Sequence, residues 1–173
     1  MWRLVAFGAA SLGIGLLSRK SLRDARSHGF YRFFAFEAIA ALVLLNLRRW
    51  FAAPLSPRQL ISYPLLAASA ILPLHGFYVP RVVGKPKPGL AETENLIQGF
   101  ENTSELVQTG AYRYIRHPLY ASLLFLTWGA FCKAPSVPGT VLALVSSACL
   151  TATALIEEKE NRRRFGPAYV AYE

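Results

Sequence analysis

The sequence predicts an all-α integral membrane protein, a bundle of about five transmembrane helices with its N-terminus outside and its C-terminus in the cytoplasm. Three observations predict this fold class. More than half of the 173 residues are hydrophobic, the apolar residues come in long blocks, and the basic residues are concentrated in alternate loops. A helix needs about 20 mostly apolar residues to cross a bilayer. Because lipid cannot hydrogen-bond the backbone, such blocks favour helices, whereas a barrel would need shorter, alternating strands.

Five blocks of the sequence are candidate spans: residues 2–18, 30–47, 60–79, 119–133 and 137–156. The fourth block is short, and it is predicted to span only if its helix begins before its first residue. All five blocks belong to one predicted membrane domain, since no soluble unit separates them. Residues 1–79 supply the three N-terminal spans of that domain.

The position of the basic residues predicts the orientation of the bundle. Fourteen of the 19 Lys and Arg residues lie in segments 19–32, 81–116 and 159–164, which five spans place on one side. Cytoplasmic loops carry the excess of Lys and Arg. The net charge of +9 is therefore interpreted as a topology signal, and nucleic acid is not an expected partner.

Two ionisable residues inside the predicted spans are candidate functional residues. Glu37 lies about two turns, or ~10 Å, inside the second span, and His75 lies near the end of the third. Ionisable groups at such depth are costly and usually face a partner or a cavity. Each residue also has a structural interpretation, which is an ion pair with Arg32 or Arg81 for Glu37 and simple packing for His75. Both would fall in the cytoplasmic half of the bundle.

The two cysteines are interpreted as packing residues. Cys132 and Cys149 lie in or beside apolar spans. Their number and spacing match neither a disulfide framework nor a metal site.

The last two spans are predicted to form an antiparallel hairpin. Their connection, residues 134–139, contains two prolines and permits only a tight turn. The hairpin brings the segment 109–120, TGAYRYIRHPLY, beside the acidic pair Glu157 and Glu158. The fifth helix is predicted to continue past the membrane until Gly166 and the proline after it.

The acidic pair is expected to divide its contacts between the two spans and a ligand. Adjacent residues on a helix point about 100° apart. One glutamate is therefore expected to hold Arg116 or His117 while the other faces a ligand. The structural alternative is an interfacial cluster of ion pairs that only fixes the hairpin.

The same residues resemble a known family. TGAYRYIRHPLYASLLFLTWG, followed by EEKENRRRFGPAYVAY, is similar to the membrane methyltransferases that include isoprenylcysteine carboxyl methyltransferase and the phospholipid methyltransferases. These proteins share RHP-x-Y at the start of one span, and after the next span a Glu-Glu pair, then Phe-Gly and spaced tyrosines. The resemblance covers roughly residues 106–172, and the first three spans carry no matching motif.

The resemblance implies S-adenosylmethionine bound at the cytoplasmic ends of the last two spans and methyl transfer to a lipidic substrate that arrives from the bilayer. Residues 80–173 would then be the cofactor-binding half of the single membrane domain, 1–173. The preferred substrate is an isoprenylcysteine-type carboxylate. The alternatives are N-methylation of a phospholipid ethanolamine and a non-catalytic helical bundle. Sterol reductases have a related C-terminal half that binds a nicotinamide cofactor, but they are larger.

The resemblance also implies the roles of individual residues. The implied cofactor-binding residues are Tyr112, Arg116, His117, Pro118, Tyr120, Glu157 and Glu158. Arg116 is also a catalytic candidate, together with Glu37 and His75, which lie outside the resemblance and are candidates because of their depth in the spans. The glutamates would bind the ribose hydroxyls or the amino group of the cofactor, while Arg116 would hold its carboxylate or an anionic substrate. An ethanolamine nitrogen is protonated near neutral pH and needs a general base, for which Glu37, His75 and the glutamate pair are candidates.

The sequence departs from the family pattern in two places. Ser122 stands where many relatives have glycine, two residues after the motif tyrosine. Many relatives also continue with a basic and aromatic tail where this sequence stops at Glu173.

Overall fold

A computed structural model describes residues 1–83, 106 and 108–173, and within residues 75–83 it describes the backbone only. The helices of this described part, in chain order, are α1 (Trp2–Ser18), α2 (His28–Asn46), α3 (Pro57–Val83), α4 (Pro118–Lys133), α5 (Val137–Phe165) and α6 (Pro167–Tyr172). The described residues contain no β-strand, so the all-α class is confirmed. Each of the five apolar blocks forms one helix, and the short α6 was not predicted.

Two helices of the described part are long and apolar enough to cross a membrane. They are α2 with the 3₁₀ turn that follows it, His28–Arg49, and α5, Val137–Phe165. The apolar helix α1 has 17 residues, and α4 has 16 although it begins at Pro118, one residue before the predicted block. The arrangement as five spans therefore stays a prediction.

The helices pack mainly as two antiparallel pairs. Helix α3 lies along α4 and α2 lies along α5, while α4 also contacts α2 and α5, and α1 packs on α2. Ser62 donates a hydrogen bond to the carbonyl of Gly129 at 2.7 Å, where a Cβ on the glycine would lie 2.9 Å from Leu66. Small residues let helices in lipid approach closely, and interhelical hydrogen bonds then hold them.

The core of the described part consists of two small clusters. One contains Ala35, Tyr120 and Leu150, and the other contains Leu42, Ala130 and Ala143. Large apolar side chains on α1 and α5 instead remain exposed. Examples are Leu4, Val141 and Leu155, which are 77%, 55% and 54% exposed. An apolar surface of this extent is typical of a protein that contacts lipid or another protein.

The chain segments that the charge pattern predicts on one side of the membrane lie at the same end of the bundle. At one end His28, which begins α2, lies 2.9 Å from Glu160 near the end of α5. At the other end Lys133, which closes α4, donates to Gln59 at the start of α3 at 2.7 Å. The relative placement of the loops therefore agrees with the predicted topology, whereas the side of the membrane that each end faces stays a prediction.

Candidate functional site

A tight hairpin positions the site. Helix α4 ends at Lys133 and α5 begins at Val137, with Ser136 between them accepting a hydrogen bond from the backbone of Gly139. A side-chain oxygen at this position satisfies one of the free N–H groups of the first helical turn. The predicted hairpin is confirmed, and it sets the start of α4 beside the end of α5.

A histidine lies between the two glutamates at this place. His117 Nε2 is 3.3 Å from Glu158 Oε1, and His117 Nδ1 is 3.9 Å from Glu157 Oε2. Arg116 Nη1 approaches the same Glu158 oxygen at 3.1 Å. Because a carboxylate only accepts hydrogen bonds, the Nε2–H of His117 donates to Glu158, and Arg116 forms an ion pair with the same oxygen. Glu158 therefore holds both Arg116 and His117, as expected for one glutamate of the pair. Glu157 also lies near the imidazole, which precedes the helix, and its contact with a ligand stays a prediction.

The partial burial of this cluster strengthens its electrostatic interactions. The side chains of His117 and Glu158 are each 15% exposed and that of Glu157 is 23% exposed, whereas Arg116 is 40% exposed. Charges that are mostly withdrawn from water interact more strongly than fully hydrated ones. Arg116 therefore lies at the rim of the cluster, and the two glutamates and the histidine lie deeper.

The spacing RHP-x-Y has a structural reason. Pro118 occupies the first turn of α4, where its missing N–H costs nothing and its fixed φ suits the helix. His117 is then the residue just outside the helix. Tyr120, which is 7% exposed, stacks on the His117 ring with centroids 5.5 Å apart and planes 24° apart. The tyrosine thereby restricts the orientation of the imidazole between the glutamates.

The C-terminal helix α6 folds back over the start of α4. Gly166 has φ +57°, in the left-handed region that favours glycine, and it turns the chain from α5 into α6. The Tyr172 hydroxyl donates to the carbonyl of Tyr112, and Arg162 donates to both carboxylate oxygens of Glu173 at 2.5 and 2.8 Å. These contacts hold α6 against the four-residue 3₁₀ turn, Gly110–Arg113, that precedes α4.

The two tyrosines of α6 are covered by this packing. Tyr169 is 2% exposed, and burial raises its pKa, as do the nearby Glu158 and Glu157, while a hydrogen bond with Asn161 acts in the opposite direction. Burial also raises the pKa of Tyr172. Both effects favour the neutral phenol. Tyr169 thus lies within electrostatic reach of both glutamates of the site.

An open cavity of about 500 Å³ adjoins α6 and the turn before α4. Its described lining residues are Gln108, Thr109, Gly110, Arg113 and Tyr172. The volume is within the range of small-molecule sites, which is about 300–1,000 Å³. The sequence predicted a cofactor pocket at this end of the last two spans but assigned none of these five residues to it, although the spaced tyrosines of GPAYVAY were part of the family resemblance.

Glu37 and His75 do not join the cluster through any described contact. Ser11 of α1 donates a hydrogen bond to Glu37 Oε2 at 2.5 Å, and the other oxygen, Oε1, is buried without a hydrogen-bond partner among the described residues. The described partner of Glu37 is thus Ser11 rather than Arg32. The side chains of His75 and Arg81 lie outside the described residues.

The backbone of α3 nevertheless places His75 at the same height in the bundle as the start of α4. Because Ser62 lies opposite Gly129 in the antiparallel pair α3–α4, the residue 13 positions after Ser62 lies level with the start of α4. At about 1.5 Å per residue this is a rise of about 20 Å along α3. His75 therefore stays a catalytic candidate by position, and Glu37 stays one without a described link to the cluster.

The family comparison covers the cluster of Arg116, His117, Glu157 and Glu158. The model of the phospholipid methyltransferase family matches residues 89–168, slightly under half of the chain, which include RHP-x-Y and both glutamates. The resemblance inferred from the motifs is thereby confirmed. Comparison with the curated proteins and with the solved structures gave no match.

Proposed function

We propose that this chain is an S-adenosylmethionine-dependent methyltransferase that acts on a lipidic substrate at the membrane, because the model of the phospholipid methyltransferase family matches residues 89–168. We further propose a bundle of five spans with the site at its cytoplasmic end. The carrying observation is the cluster in which His117 lies between Glu157 and Glu158 with Arg116 at its rim.

The donors and acceptors of the cluster fit the proposed cofactor. S-adenosylmethionine presents hydroxyls and an ammonium that donate hydrogen bonds, and a carboxylate that accepts them. Glu157 and Glu158 supply acceptors, Arg116 supplies a cation, and the stacked rings of His117 and Tyr120 supply a flat surface. A guanidinium binds a carboxylate with two parallel hydrogen bonds. We assign one glutamate of the pair to the ribose hydroxyls or the amino group, and Arg116 to the cofactor carboxylate or to an anionic substrate. Tyr112 and Pro118 would shape the wall.

The chain's own contribution to catalysis is binding, orientation and exclusion of water. The cofactor, when bound, supplies an electrophilic methyl group. Holding two reactants in line converts a bimolecular step into an effectively unimolecular one. The partial burial of His117 and the glutamates limits the access of water, which would compete for their hydrogen bonds. A carboxylate substrate needs no general base, because it is already ionised near neutral pH.

A phospholipid amine is the substrate that we favour, because the matching family model carries the name phospholipid methyltransferase. Its ammonium must lose a proton before it can attack. Glu157 is the proposed acceptor at the site, because its carboxylate lies 3.9 Å from His117 Nδ1 and is mostly withdrawn from water. O-methylation of an isoprenylcysteine-type carboxylate is the second candidate, supported by the half-exposed Arg116 cation, which suits an anionic substrate.

Cofactor binding tests the proposed activity directly. Isothermal titration calorimetry with S-adenosylmethionine on the purified, folded chain is expected to show binding. We expect Glu157→Gln and Glu158→Gln to weaken it by at least about tenfold, because a hydrogen bond to a charged group contributes about 1.5–3 kcal/mol. Glu160→Gln is the matched control, since this carboxylate lies on the same helix but contacts His28. Absence of binding by the folded wild-type chain would refute the proposal.

The substrate class is tested by following the methyl label. The chain is incubated with methyl-labelled cofactor in bilayers that contain phosphatidylethanolamine or a prenylcysteine analogue. Label that resists alkali and runs with the phospholipid supports N-methylation. Label that alkali releases from the prenylcysteine analogue identifies a methyl ester and supports the second candidate. Cofactor binding without label in either lipid would contradict both substrate assignments.

A further inference from the structure

The cavity beside the glutamate cluster has a positive residue and no negative one among its described lining residues. Gln108, Thr109 and Arg113 carry an amide, a hydroxyl and a guanidinium. The Tyr172 hydroxyl donates to the carbonyl of Tyr112. Because Arg113 is the only charged residue among those described in the lining, this part of the cavity favours an anion.

The turn that carries these residues is fixed by its own backbone. Gly110 has φ +65°, and the carbonyl of Ala111 accepts hydrogen bonds from the backbone N–H of Tyr114 and of Ile115 at 3.1 and 3.0 Å. The guanidinium of Arg113 lies 5.8 Å from the centroid of the exposed Tyr114 ring. No carboxylate of the described residues lies within ion-pair distance of it, so its hydrogen-bond donors face the cavity and solvent.

A second arginine contributes positive potential to the same wall. Burial and the neighbouring Tyr169 raise the pKa of Tyr172, and the charge of Arg116 acts on it in the opposite direction. Tyr172 lines the cavity, so the field of Arg116 reaches that wall. Arg116 also forms an ion pair with Glu158 at 3.1 Å, and Glu158 and Glu157 both lie within contact of His117. The end of the bundle therefore presents a positive subsite next to a negative one.

We propose that the cavity at Gln108–Gly110, Arg113 and Tyr172 binds an oxyanion, with Arg113 as its principal ligand. The oxyanion is the phosphodiester of a phospholipid headgroup or the carboxylate of the cofactor, because both are anions attached to a group that suits the adjacent glutamates. The inference rests on the proposed function, which supplies these two ligands. Charge-assisted hydrogen bonds to an arginine are about twice as strong as neutral ones, so Arg113 determines the affinity.

Binding measured on the full-length, detergent-solubilised chain tests the inference with two pairs of soluble probes. Glycerophosphoethanolamine is compared with ethanolamine, which lacks the phosphate. S-adenosylhomocysteine is compared with methylthioadenosine, which lacks the carboxylate. The variants are Arg113→Gln, the conservative Arg113→Lys, and Arg163→Gln as a control, because Arg163 is an exposed arginine at the same end of the bundle.

Arg113→Gln is expected to raise the Kd of one anionic probe by about tenfold or more, with partial recovery in Arg113→Lys. A change for glycerophosphoethanolamine but not for ethanolamine identifies the phosphodiester. A change for S-adenosylhomocysteine but not for methylthioadenosine identifies the carboxylate. Unchanged affinity for both anionic probes, or an equal change in Arg163→Gln, overturns the inference.

The same measurements distinguish a failure of the oxyanion site from a failure of the methyltransferase proposal. If the wild-type chain binds neither nucleoside probe, the methyltransferase proposal fails. Glycerophosphoethanolamine then still tests the cavity, because its binding does not depend on the cofactor. If the wild-type chain binds all four probes and Arg113→Gln changes none of them, only the oxyanion site is wrong.

Discussion

At the scale of single residues, a buried cation distinguishes the end of the bundle opposite the site. Lys133 is 1% exposed. Its ammonium donates to Gln59 at 2.7 Å and lies 4.3 Å from the centroid of Tyr63. The amide of Gln59 in turn donates to the carbonyls of Arg49 and Ala52. One glutamine thus connects the end of α4 to the loop before α3, and its loss leaves three polar groups without these partners.

Replacing Gln59 by leucine is expected to destabilise the fold by about 3 kcal/mol, because a buried charge loses its acceptor and two carbonyls lose their donor. For a chain of this size that corresponds to a decrease in Tm of roughly 6–12 °C. Thermal unfolding of the purified chain measures it, with Gln108→Leu as an exposed control. Equal Tm values for the two variants would contradict the described role of Gln59.

The sequence could not indicate the burial of Lys133. A lysine that closes an apolar block usually extends toward the headgroups with its ammonium in water. Here the aromatic rings of Tyr63 and Trp50 lie 4.3 and 5.5 Å from the ammonium, and they belong to segments distant in sequence. By contrast, the contacts of Arg116 and His117 with the glutamates were predictable, because the hairpin that joins them is local in the chain.

At the scale of elements, the contacts of its tyrosines stabilise α6, because the helix is too short to be stable by itself. It has six residues, too few for a stable isolated helix, and its described contacts are with α5 and the turn before α4. The stop of α5 at Gly166 was predictable from glycine followed by proline. The return of the chain over α4 was not, because it depends on where the carbonyl of Tyr112 lies.

The docking of α6 is expected to weaken at alkaline pH. Burial raises the pKa of Tyr169 and Tyr172 above the ordinary value of 10.0. The folded state therefore favours the neutral phenols: their contribution to stability is fully present below that pH and is lost as the pH rises through the raised pKa values. Ultraviolet absorbance of the phenolates follows this titration.

Single Tyr→Phe variants show which part of the alkaline titration curve each buried tyrosine contributes. Tyr169→Phe and Tyr172→Phe should each remove absorbance from the late part of the curve. If neither variant loses absorbance from the late part of the curve, the packing described for α6 is wrong.

At the scale of the whole molecule, the two ends of the bundle are expected to face opposite sides of a membrane. The loop before α2, the start of α4 and the end of α5 meet at one end. The excess of arginine and lysine in these segments predicts that this end is cytoplasmic.

Labelling of single cysteines with a membrane-impermeant maleimide tests this orientation. In a background with Cys132 and Cys149 replaced by alanine, Leu55→Cys should react in intact cells. Arg163→Cys should react only after permeabilisation. Both positions are exposed and lie at opposite ends of the bundle, so each controls for the other. The reverse pattern would place the site on the outer face, and labelling of both in intact cells would contradict a membrane-spanning bundle.

The sequence alone determined the helical class, the bounds of five helices to within a few residues, and the hairpin that joins α4 to α5. It could do so because apolar block length, proline and glycine act within a few residues of their own position. The tertiary structure alone decided that α3 pairs with α4 and α2 with α5, that Glu157 and Glu158 both face His117, and that α6 completes a cavity. Helices that are apolar on most faces have no hydrophobic periodicity from which the neighbouring helix could be predicted. Their pairing depends instead on close approach at small residues and on a few polar contacts, such as Ser62 with Gly129, between residues far apart in the chain.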